Sequence, residues 1–182
     1  WEGMRQDIEY MKQLLEQLSS YNNGERLECA STDARTFLRK IALSFASTLV
    51  DSQIEFTSKI PTTLPPVCID PMKMKQVILN LLRNAQDAVL SCPDKDHAAI
   101  SLSAAFQNQQ VVITISDTGC GIAPEDLSTI FEPFITHKQN GTGLGLAIAK
   151  RIVSAHHGSL TVESVLDKGT VFTLTLPVQQ DA

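Results

Sequence analysis

The first 18 residues carry apolar side chains at alternating intervals of three and four positions, the spacing of the a/d seam of a heptad repeat. The seam residues are Trp1, Met4, Ile8, Met11, Leu15 and Leu18. Asn22-Asn23-Gly24 follows as a helix stop. A seam this narrow favours a helix that pairs with a partner helix over one packed on its own domain, because a globular helix normally buries a broader stripe.

Beyond residue 24 the pattern alternates between helical and strand periods. Helices are predicted from a cap at Ser31-Thr32-Asp33 to about Val50, from the cap Asp70-Pro71 to about Leu90, and over 144–157. Six short strands are predicted near 54–60, 67–69, 100–104, 111–115, 160–162 and 171–176. Residues 118–143 have no sustained period, and so long a loop in a compact domain is usually functional. The pattern predicts an α/β domain.

Charge and cysteine usage narrow the functional class. The chain has 182 residues, with 15 Lys+Arg against 20 Asp+Glu and a net charge of −5, so nucleic acid is not an expected partner. It has no uncharged apolar run of about 20 residues and no basic-then-apolar leader, so direct membrane contact is not expected. The cysteines show no C-x-x-C spacing, which predicts neither a zinc site nor a disulfide framework and favours a reducing, cytoplasmic location. They are Cys29, Cys68, Cys92 and Cys120.

The first candidate motif is a pair of amides in the predicted helix 70–90. Asn80 and Asn84 lie one turn apart and share a face of an otherwise apolar helix. Buried amides need hydrogen-bond partners or a ligand. An asparagine oxygen is a hard, neutral ligand suited to Mg²⁺ that brings phosphate oxygens and waters of its own. A satisfied core or capping amide is the alternative.

The second and third motifs are rich in glycine. Asp117-Thr118-Gly119-Cys120-Gly121 follows a predicted strand, where a tight turn can approach a flat ligand and a carboxylate can accept an exocyclic amine. A plain Asp-x-Gly turn is the alternative. Gly141-Thr142-Gly143-Leu144-Gly145 runs into the last helix, whose N-terminal amides would favour a phosphate. Its spacing is G-x-G-x-G with no strand before it, which excludes a Rossmann fingerprint.

Taken together, residues 32–177 resemble the ATP-binding catalytic domains of sensor histidine kinases. In chain order they contain sequences similar to the N box, the first glycine box, the F box Phe131-Glu132-Pro133-Phe134, the second glycine box and a terminal glycine-threonine motif at Gly169-Thr170. Phe-Glu-Pro-Phe followed by Lys138, with His156-His157-Gly158 after the last helix, resembles the nitrogen-regulation type. The resemblance implies a Bergerat-type two-layer α/β sandwich, with three helices over a mixed, mostly antiparallel sheet, preceded by an N-terminal helix.

The resemblance also implies the members of an ATP site. Asn84 would bind Mg²⁺, Asp117 would accept the adenine amine, and Thr170 would support that aspartate through hydrogen bonding. The second glycine box would border the phosphates. Lys138 would reach the terminal phosphate from a mobile lid over 125–142, and Phe131 and Phe134 would anchor that lid or serve as core aromatics. His137, His156 and His157 are expected to be solvent or loop histidines. The implied nucleotide-binding residues are Asn80, Asn84, Asp87, Asp117, Gly119, Gly121, Ile122, Phe131, Phe134, Lys138, Gly141, Thr142, Gly143, Leu144, Gly145, Leu146 and Thr170.

Two positions depart from related patterns. Hydrolytic ATPases of gyrase, mismatch-repair and chaperone type have a water-activating glutamate where this chain has Asn80, and an amide takes no proton at neutral pH. This favours phosphoryl transfer over hydrolysis. Asp87 stands where many histidine kinases have a basic residue, which keeps two alternatives open: a hydrolytic ATPase of the same superfamily, and a nucleotide-binding module without kinase output.

No His-Glu pair of the kind that accepts phosphate in this family occurs in the chain, so the acceptor histidine is expected outside it. Residues 1–23 resemble the second helix of the dimeric phosphoacceptor hairpin, and 24–182 the ATP-binding catalytic domain. The resemblance further implies homodimerisation through the N-terminal helix, and a response-regulator receiver domain as partner of the parent protein. That parent is expected in the cytoplasm, with or without a membrane anchor, and this fragment alone should bind ATP or ADP and barely turn ATP over.

Overall fold

The computed structural model describes residues 27–92, 97–136 and 141–178, so the heptad segment predicted over residues 1–23 lies outside the described residues. Within these described residues there are three helices, which we label α1 (Ala34–Thr48), α2 (Pro71–Leu90) and α3 (Gly145–Ala155). The strands are β1 (Ala30–Thr32), β2 (Glu55–Lys59), β3 (Val67–Ile69), β4 (Ala99–Gln107), β5 (Gln110–Asp117), β6 (Ser159–Val165) and β7 (Gly169–Pro177). None of the described helices is both long enough and apolar enough to cross a bilayer.

Five strands form one mixed sheet in the order β2-β4-β5-β7-β6, in which β2 and β4 run parallel and the other pairs are antiparallel. Burial alternates strictly along β5, where Val111, Ile113, Ile115 and Asp117 face the core. The core face of the sheet packs against α2 and α3, and α2 also contacts α1. The predicted two-layer α/β architecture with a mostly antiparallel sheet is confirmed.

Two features of the sheets do not follow from the hydrophobic pattern. Ser31 and Thr32, predicted as part of the cap of the first helix, instead belong to β1, which pairs antiparallel with β3 through Ala30 opposite Ile69 and Thr32 opposite Val67. Because β1 is only three residues long and mostly exposed, no alternation marks it. The other feature is the parallel β2–β4 pair, which joins strands that are far apart in sequence.

The predicted caps of the first two helices are confirmed. Asp33 Oδ1 accepts the Thr36 N–H at the start of α1, and Asp70 Oδ1 accepts the N–H groups of Met72 and Lys73 at 3.0 and 3.1 Å at the start of α2. The other carboxylate oxygen of Asp70 accepts the Glu28 N–H at 3.1 Å. One buried aspartate therefore caps α2 and also holds the segment that leads into β1.

The expectation that His156 is a solvent or loop histidine is wrong. This side chain is 5% exposed at the end of α3. Its Nε2 accepts the backbone N–H of Asp70 at 2.9 Å, so the ring proton resides on Nδ1, which donates to the Ile152 carbonyl at 2.7 Å. A neutral His156 thus joins the end of α3 to the cap of α2. His157 is exposed as expected, and His137 lies outside the described residues.

Asp70→Asn should lower the free energy of unfolding at neutral pH by about 1–2 kcal/mol. Asparagine has one acceptor oxygen where the carboxylate has two, so one of the two sets of N–H donors loses its acceptor. Burial raises the pKa of Asp70, but the backbone N–H donors of Lys73, Glu28 and Met72 together outweigh it and hold the pKa below its ordinary value. A depressed pKa in the folded state gives stability that is present above the unfolded-state pKa and lost as the pH falls through the folded-state pKa. Urea unfolding at several pH values should therefore show the deficit of Asp70→Asn shrinking in acid; a deficit independent of pH would contradict this role.

Candidate nucleotide-binding site

Helix α2 carries the first motif on the side that borders α3 and the loop after β5. Asn80 and Asn84 lie one turn apart and are half-buried, whereas Asp87 in the next turn is exposed. The Nδ2 atom of Asn80 is buried and has no hydrogen-bond partner among the described residues. A buried, unpartnered amide is uncommon in a folded protein, and its donor is available to a ligand or a water molecule.

Asp117 closes β5 at the edge of the buried layer. It is 9% exposed, and the alternation of the strand directs it to the same side as the core residues Ile113 and Ile115. Its Oδ1 accepts the Gly119 N–H at 2.8 Å, which fixes the carboxylate at the start of the turn. An ionised carboxylate in such a place can accept a further hydrogen bond from an amine.

The loop after Asp117 lies against α2 on one side and against the β6–β7 turn on the other. A Cβ atom on Gly119 would lie 2.5 Å from the Ala88 carbonyl carbon, and the Cys120 N–H donates to the Ala88 carbonyl at 3.2 Å. Gly121 has φ +70°, and a Cβ there would lie 2.2 Å from the Val165 carbonyl oxygen. Both glycines are therefore required by close backbone approach, and Gly121 also by its conformation.

The third motif places the start of α3 against Asn80. Leu144 is the N-cap residue, and no side chain of the described residues caps this helix. A Cβ on Gly145 would lie 2.6 Å from Asn80 Oδ1, so the bare glycine lets the helix terminus approach the amide. Thr142 Oγ1 accepts the Leu144 N–H at 3.3 Å. Gly141, Gly143 and Leu146 are half-buried beside them.

The two F-box phenylalanines have different surroundings. Phe131 packs edge-on against Phe172 of β7, with ring centroids 6.5 Å apart, and Lys150 Nζ lies 4.6 Å from its ring centroid. Phe134 is 61% exposed, so it is not a core aromatic. Its N–H donates to the Gly143 carbonyl at 3.0 Å, which joins the F box to the second glycine motif through the backbone. Lys138 lies outside the described residues.

A groove of about 210 Å³ runs between α2 and α3. Asn80 and Gly145 line it, together with the apolar side chains of Ile148 and Ile152 and the exposed Arg83. The groove borders the candidate site at Asn80, and Asp117 at the end of β5 does not line it. It therefore extends the Asn80 end of the site.

The thiol inside the first glycine loop is a poor nucleophile. Burial first, and then the neighbouring Cys92 thiol, raise the pKa of Cys120. A raised pKa keeps the thiol protonated at neutral pH, and the thiolate is the reactive form. Cys120 is therefore not a candidate nucleophile for the site.

Helix α2 brings the three motifs together, because it contacts the Asp117 loop at Ala88 and the start of α3 at Asn80. A carboxylate acceptor, a glycine-rich backbone and an uncapped helix terminus thus border one place on the molecule. Asn84 lies on α2 between the two contacts and offers an amide oxygen, which fits a magnesium ion that is bound mainly through the phosphates of a nucleotide.

The motif search missed two residues that shape the site. Ala88 contacts the Asp117 loop. In the sequence, only its small side chain on the helix that carries Asn80 and Asn84 could have indicated this contact. Ser164 of β6 accepts the Ile122 N–H at 2.9 Å. The position of the Asp167-Lys168-Gly169 turn could have predicted the register of the β6–β7 hairpin, in which Ser164 pairs with Thr170.

A family model described as "Histidine kinase-, DNA gyrase B-, and HSP90-like ATPase" matches residues 69–180. The chain belongs to this family. Within it, the chain is an ATP-binding domain of the sensor histidine kinase type, as the following relatives show.

Sensor histidine kinase ZraS of Escherichia coli (strain K12) is 43% identical over 126 residues, which cover 69% of this chain and 26% of ZraS. The histidine-protein kinase AtoS of the same strain is 31% identical over 173 residues, 94% of this chain and 28% of AtoS. The adaptive-response sensory kinase SasA of Synechococcus sp. (strain JA-3-3Ab) is 32% identical over 186 residues, 98% of this chain and 48% of SasA. The chain thus spans less than half the length of these relatives.

Two solved structures support the same assignment. Full-length ShkA in complex with AMPPNP has a TM-score of 0.82 at 26% identity, covering 100% of this chain and 38% of that one. The nucleotide-free catalytic domain of histidine kinase ThkA has a TM-score of 0.71 at 27% identity, covering 82% of this chain and 95% of that one. The resemblance to sensor histidine kinases expected from the boxes is confirmed.

Proposed function

We propose that this chain binds Mg·ATP and transfers the γ-phosphoryl group to a histidine of its parent protein that lies outside the chain. The observation that carries the proposal is the convergence of the three motifs on α2. The Asp117 loop rests on Ala88, and the start of α3 rests on Asn80. These two contacts support a nucleotide site with an acceptor for the base beside Ala88 and donors for the phosphates beside Asn80.

Each end of the nucleotide has its own group of residues. Asp117 would accept the adenine amine while the backbone at Gly119 and Gly121 lies along the flat ring. The N–H groups at the start of α3 would face the phosphates, whose charge the helix dipole favours. Asn84 would hold Mg²⁺, which supplies neutralisation of the phosphate charge when bound.

Asn80 favours transfer over hydrolysis. Its amide can donate a hydrogen bond to a phosphate oxygen but cannot take a proton from water at neutral pH. The chain's residues therefore bind and orient the triphosphate, and catalysis rests on positioning and electrostatic stabilisation. Residues 1–23 would belong to the dimeric helical hairpin that presents the acceptor, Lys138 would reach the terminal phosphate, and a receiver domain would take the phosphoryl group onward.

The transfer is tested by incubating the chain with ATP labelled at the γ-phosphate and the parent's acceptor hairpin supplied as a separate fragment. We expect a label on the hairpin that is stable in base and labile in acid, as for phosphohistidine. A hairpin with its acceptor histidine replaced by glutamine is the control and should stay unlabelled. Steady phosphate release by the chain alone, without labelling of the hairpin, would instead show a hydrolytic ATPase.

Gly145→Ala should weaken ADP binding about tenfold without lowering stability. The new Cβ would lie 2.6 Å from Asn80 Oδ1, a side-chain atom that can move aside without a shift of the backbone. Calorimetric titration and thermal unfolding of the same samples separate the two effects. Asn80→Ala and the double variant Asn80→Ala/Gly145→Ala complete the comparison. If Gly145→Ala acts through Asn80, the double variant should bind ADP as strongly as Asn80→Ala alone. Additive losses of ADP affinity would contradict a role through Asn80.

A further inference from the structure

A row of three polar side chains crosses the end of the sheet on its core face. Asp117 of β5 is in register with Thr170 of β7, and Thr170 is in register with Ser164 of β6. Thr170 is 3% exposed and Asp117 is 9% exposed. Register partners on one face of a sheet have neighbouring side chains, so the three side chains lie next to one another.

Ser164 Oγ is the centre of a hydrogen-bonded cluster. It lies 2.9 Å from the Gly169 carbonyl oxygen, 2.9 Å from the Ile122 backbone nitrogen and 3.0 Å from Thr170 Oγ1. These contacts tie β6 to the end of the glycine loop after Asp117 and to the start of β7.

The direction of each bond follows from the hydrogens available. A hydroxyl has one hydrogen to donate and two lone pairs to accept with. The Gly169 carbonyl can only accept, so it takes the hydrogen of Ser164. The Ile122 N–H can only donate, so Ser164 accepts from it. The remaining lone pair of Ser164 accepts the hydrogen of Thr170.

Thr170 therefore donates its hydrogen to Ser164 and keeps only lone pairs for other contacts. The hydrogen bond from Thr170 to Asp117 that the family resemblance implies is not formed. The neighbour of Thr170 in register, Asp117, is an ionised carboxylate and can only accept as well. The two side chains together form a surface made of acceptors. Such a surface pairs with an amine and repels a carbonyl, the difference between adenine and guanine at the position where the exocyclic group is attached.

We infer that Ser164 is a positioning residue that sets the adenine specificity of the site by holding the Thr170 hydroxyl as an acceptor and by fixing the loop at Ile122. The inference rests on the proposed nucleotide-binding function and adds to it the source of base selectivity. Ser164 touches no base itself and acts through Thr170 and Ile122.

The test compares calorimetric affinities for ADP and GDP, both with Mg²⁺, in the unaltered chain and in Ser164→Ala. Without Ser164, the Thr170 hydroxyl can turn and donate to a guanine carbonyl. We expect ADP to bind about tenfold more weakly and GDP no more weakly, so that the ADP-to-GDP selectivity falls about tenfold. Loss of affinity for both nucleotides to the same extent would overturn the inference, because a merely structural role weakens both.

Three further single variants and one double variant complete the test. Ser164→Thr retains the hydroxyl and should restore the selectivity, and Thr170→Val should lower it as much as Ser164→Ala does, with no further loss in the double variant. Ser101→Ala is the matched control, since Ser101 also bonds to a neighbouring strand's hydroxyl, that of Ser116 at 2.8 Å, on the other face of the sheet. It should leave the selectivity unchanged.

The outcomes separate this inference from the proposed function. If the unaltered chain binds neither nucleotide, the proposed function fails and the inference with it. If the unaltered chain prefers ADP and Ser164→Ala keeps that preference in full, only the role of Ser164 fails. Should Ser164→Ala not fold, Thr170→Val and Ser164→Thr decide: unchanged selectivity in Thr170→Val overturns the inference.

Discussion

Asp117→Asn should lower the affinity for ADP roughly 100-fold, since a buried polar group left without its partner costs about 1–3 kcal/mol. One carboxylate oxygen of Asp117 accepts the Gly119 N–H at 2.8 Å, and the proposed adenine contact needs an acceptor as well. Asparagine has a single oxygen. If this oxygen serves Gly119, the amide NH₂ meets the adenine amine, and if the side chain flips, the NH₂ meets the Gly119 N–H. Either orientation sets donor against donor.

Calorimetric titration measures this loss directly. Asp51→Asn, the same change at an exposed position after α1, is the matched control and should bind ADP as the unaltered chain does. Thermal unfolding of both variants shows whether folding is retained. An Asp117→Asn variant that folds and binds ADP with unchanged affinity would show that this carboxylate does not receive the base.

Gly169→Ala should lower the free energy of unfolding by about 3 kcal/mol or more. Gly169 has φ +129°, a conformation that costs other residues about 1–3 kcal/mol. A Cβ there would also lie 2.0 Å from the Asp117 carbonyl oxygen, and overpacking of this kind costs a further amount of about 1–3 kcal/mol. The Asp117 carbonyl oxygen belongs to the backbone and cannot rotate away, so the new Cβ fits only if β5 and β7 separate beside Asp117.

Urea unfolding of Gly169→Ala and of Lys168→Ala, its exposed neighbour, tests this prediction. The lysine variant should unfold within about 0.5 kcal/mol of the unaltered chain. Because the displaced strand end carries Asp117, ADP binding should fall even in the fraction of Gly169→Ala that remains folded. Equal urea midpoints for Gly169→Ala and Lys168→Ala would contradict the close approach of Gly169 to the Asp117 carbonyl oxygen.

The regular elements and the motifs could be predicted because they depend on local periodicity and capping. The alternation of β5 and β7 and the Asp70 cap of α2 each follow from a few consecutive residues. The glycine and amide motifs were located for the same reason. Their convergence required the family resemblance, since no local pattern shows that Gly119 approaches Ala88 or that Gly145 approaches Asn80.

The features that sequence reasoning missed are contacts between distant segments. Asp70 and His156 are 86 positions apart, so a histidine following the last helix gave no sign of being buried. Ser164 resembles any other polar residue in a half-exposed strand until the hairpin register places it beside Thr170. Strand β1 is stabilised by pairing with β3 and not by burial of its own side chains.

We infer that this chain binds a magnesium nucleotide between Asp117 and Asn84. Titration of the unaltered chain and of Asn84→Ala with ADP in a calorimeter, with and without Mg²⁺, tests this binding most directly. We predict one site per chain that Mg²⁺ strengthens in the unaltered protein, and weaker binding that Mg²⁺ no longer changes in Asn84→Ala. No ADP binding by the unaltered chain, or the same Mg²⁺ enhancement in both proteins, would contradict this account.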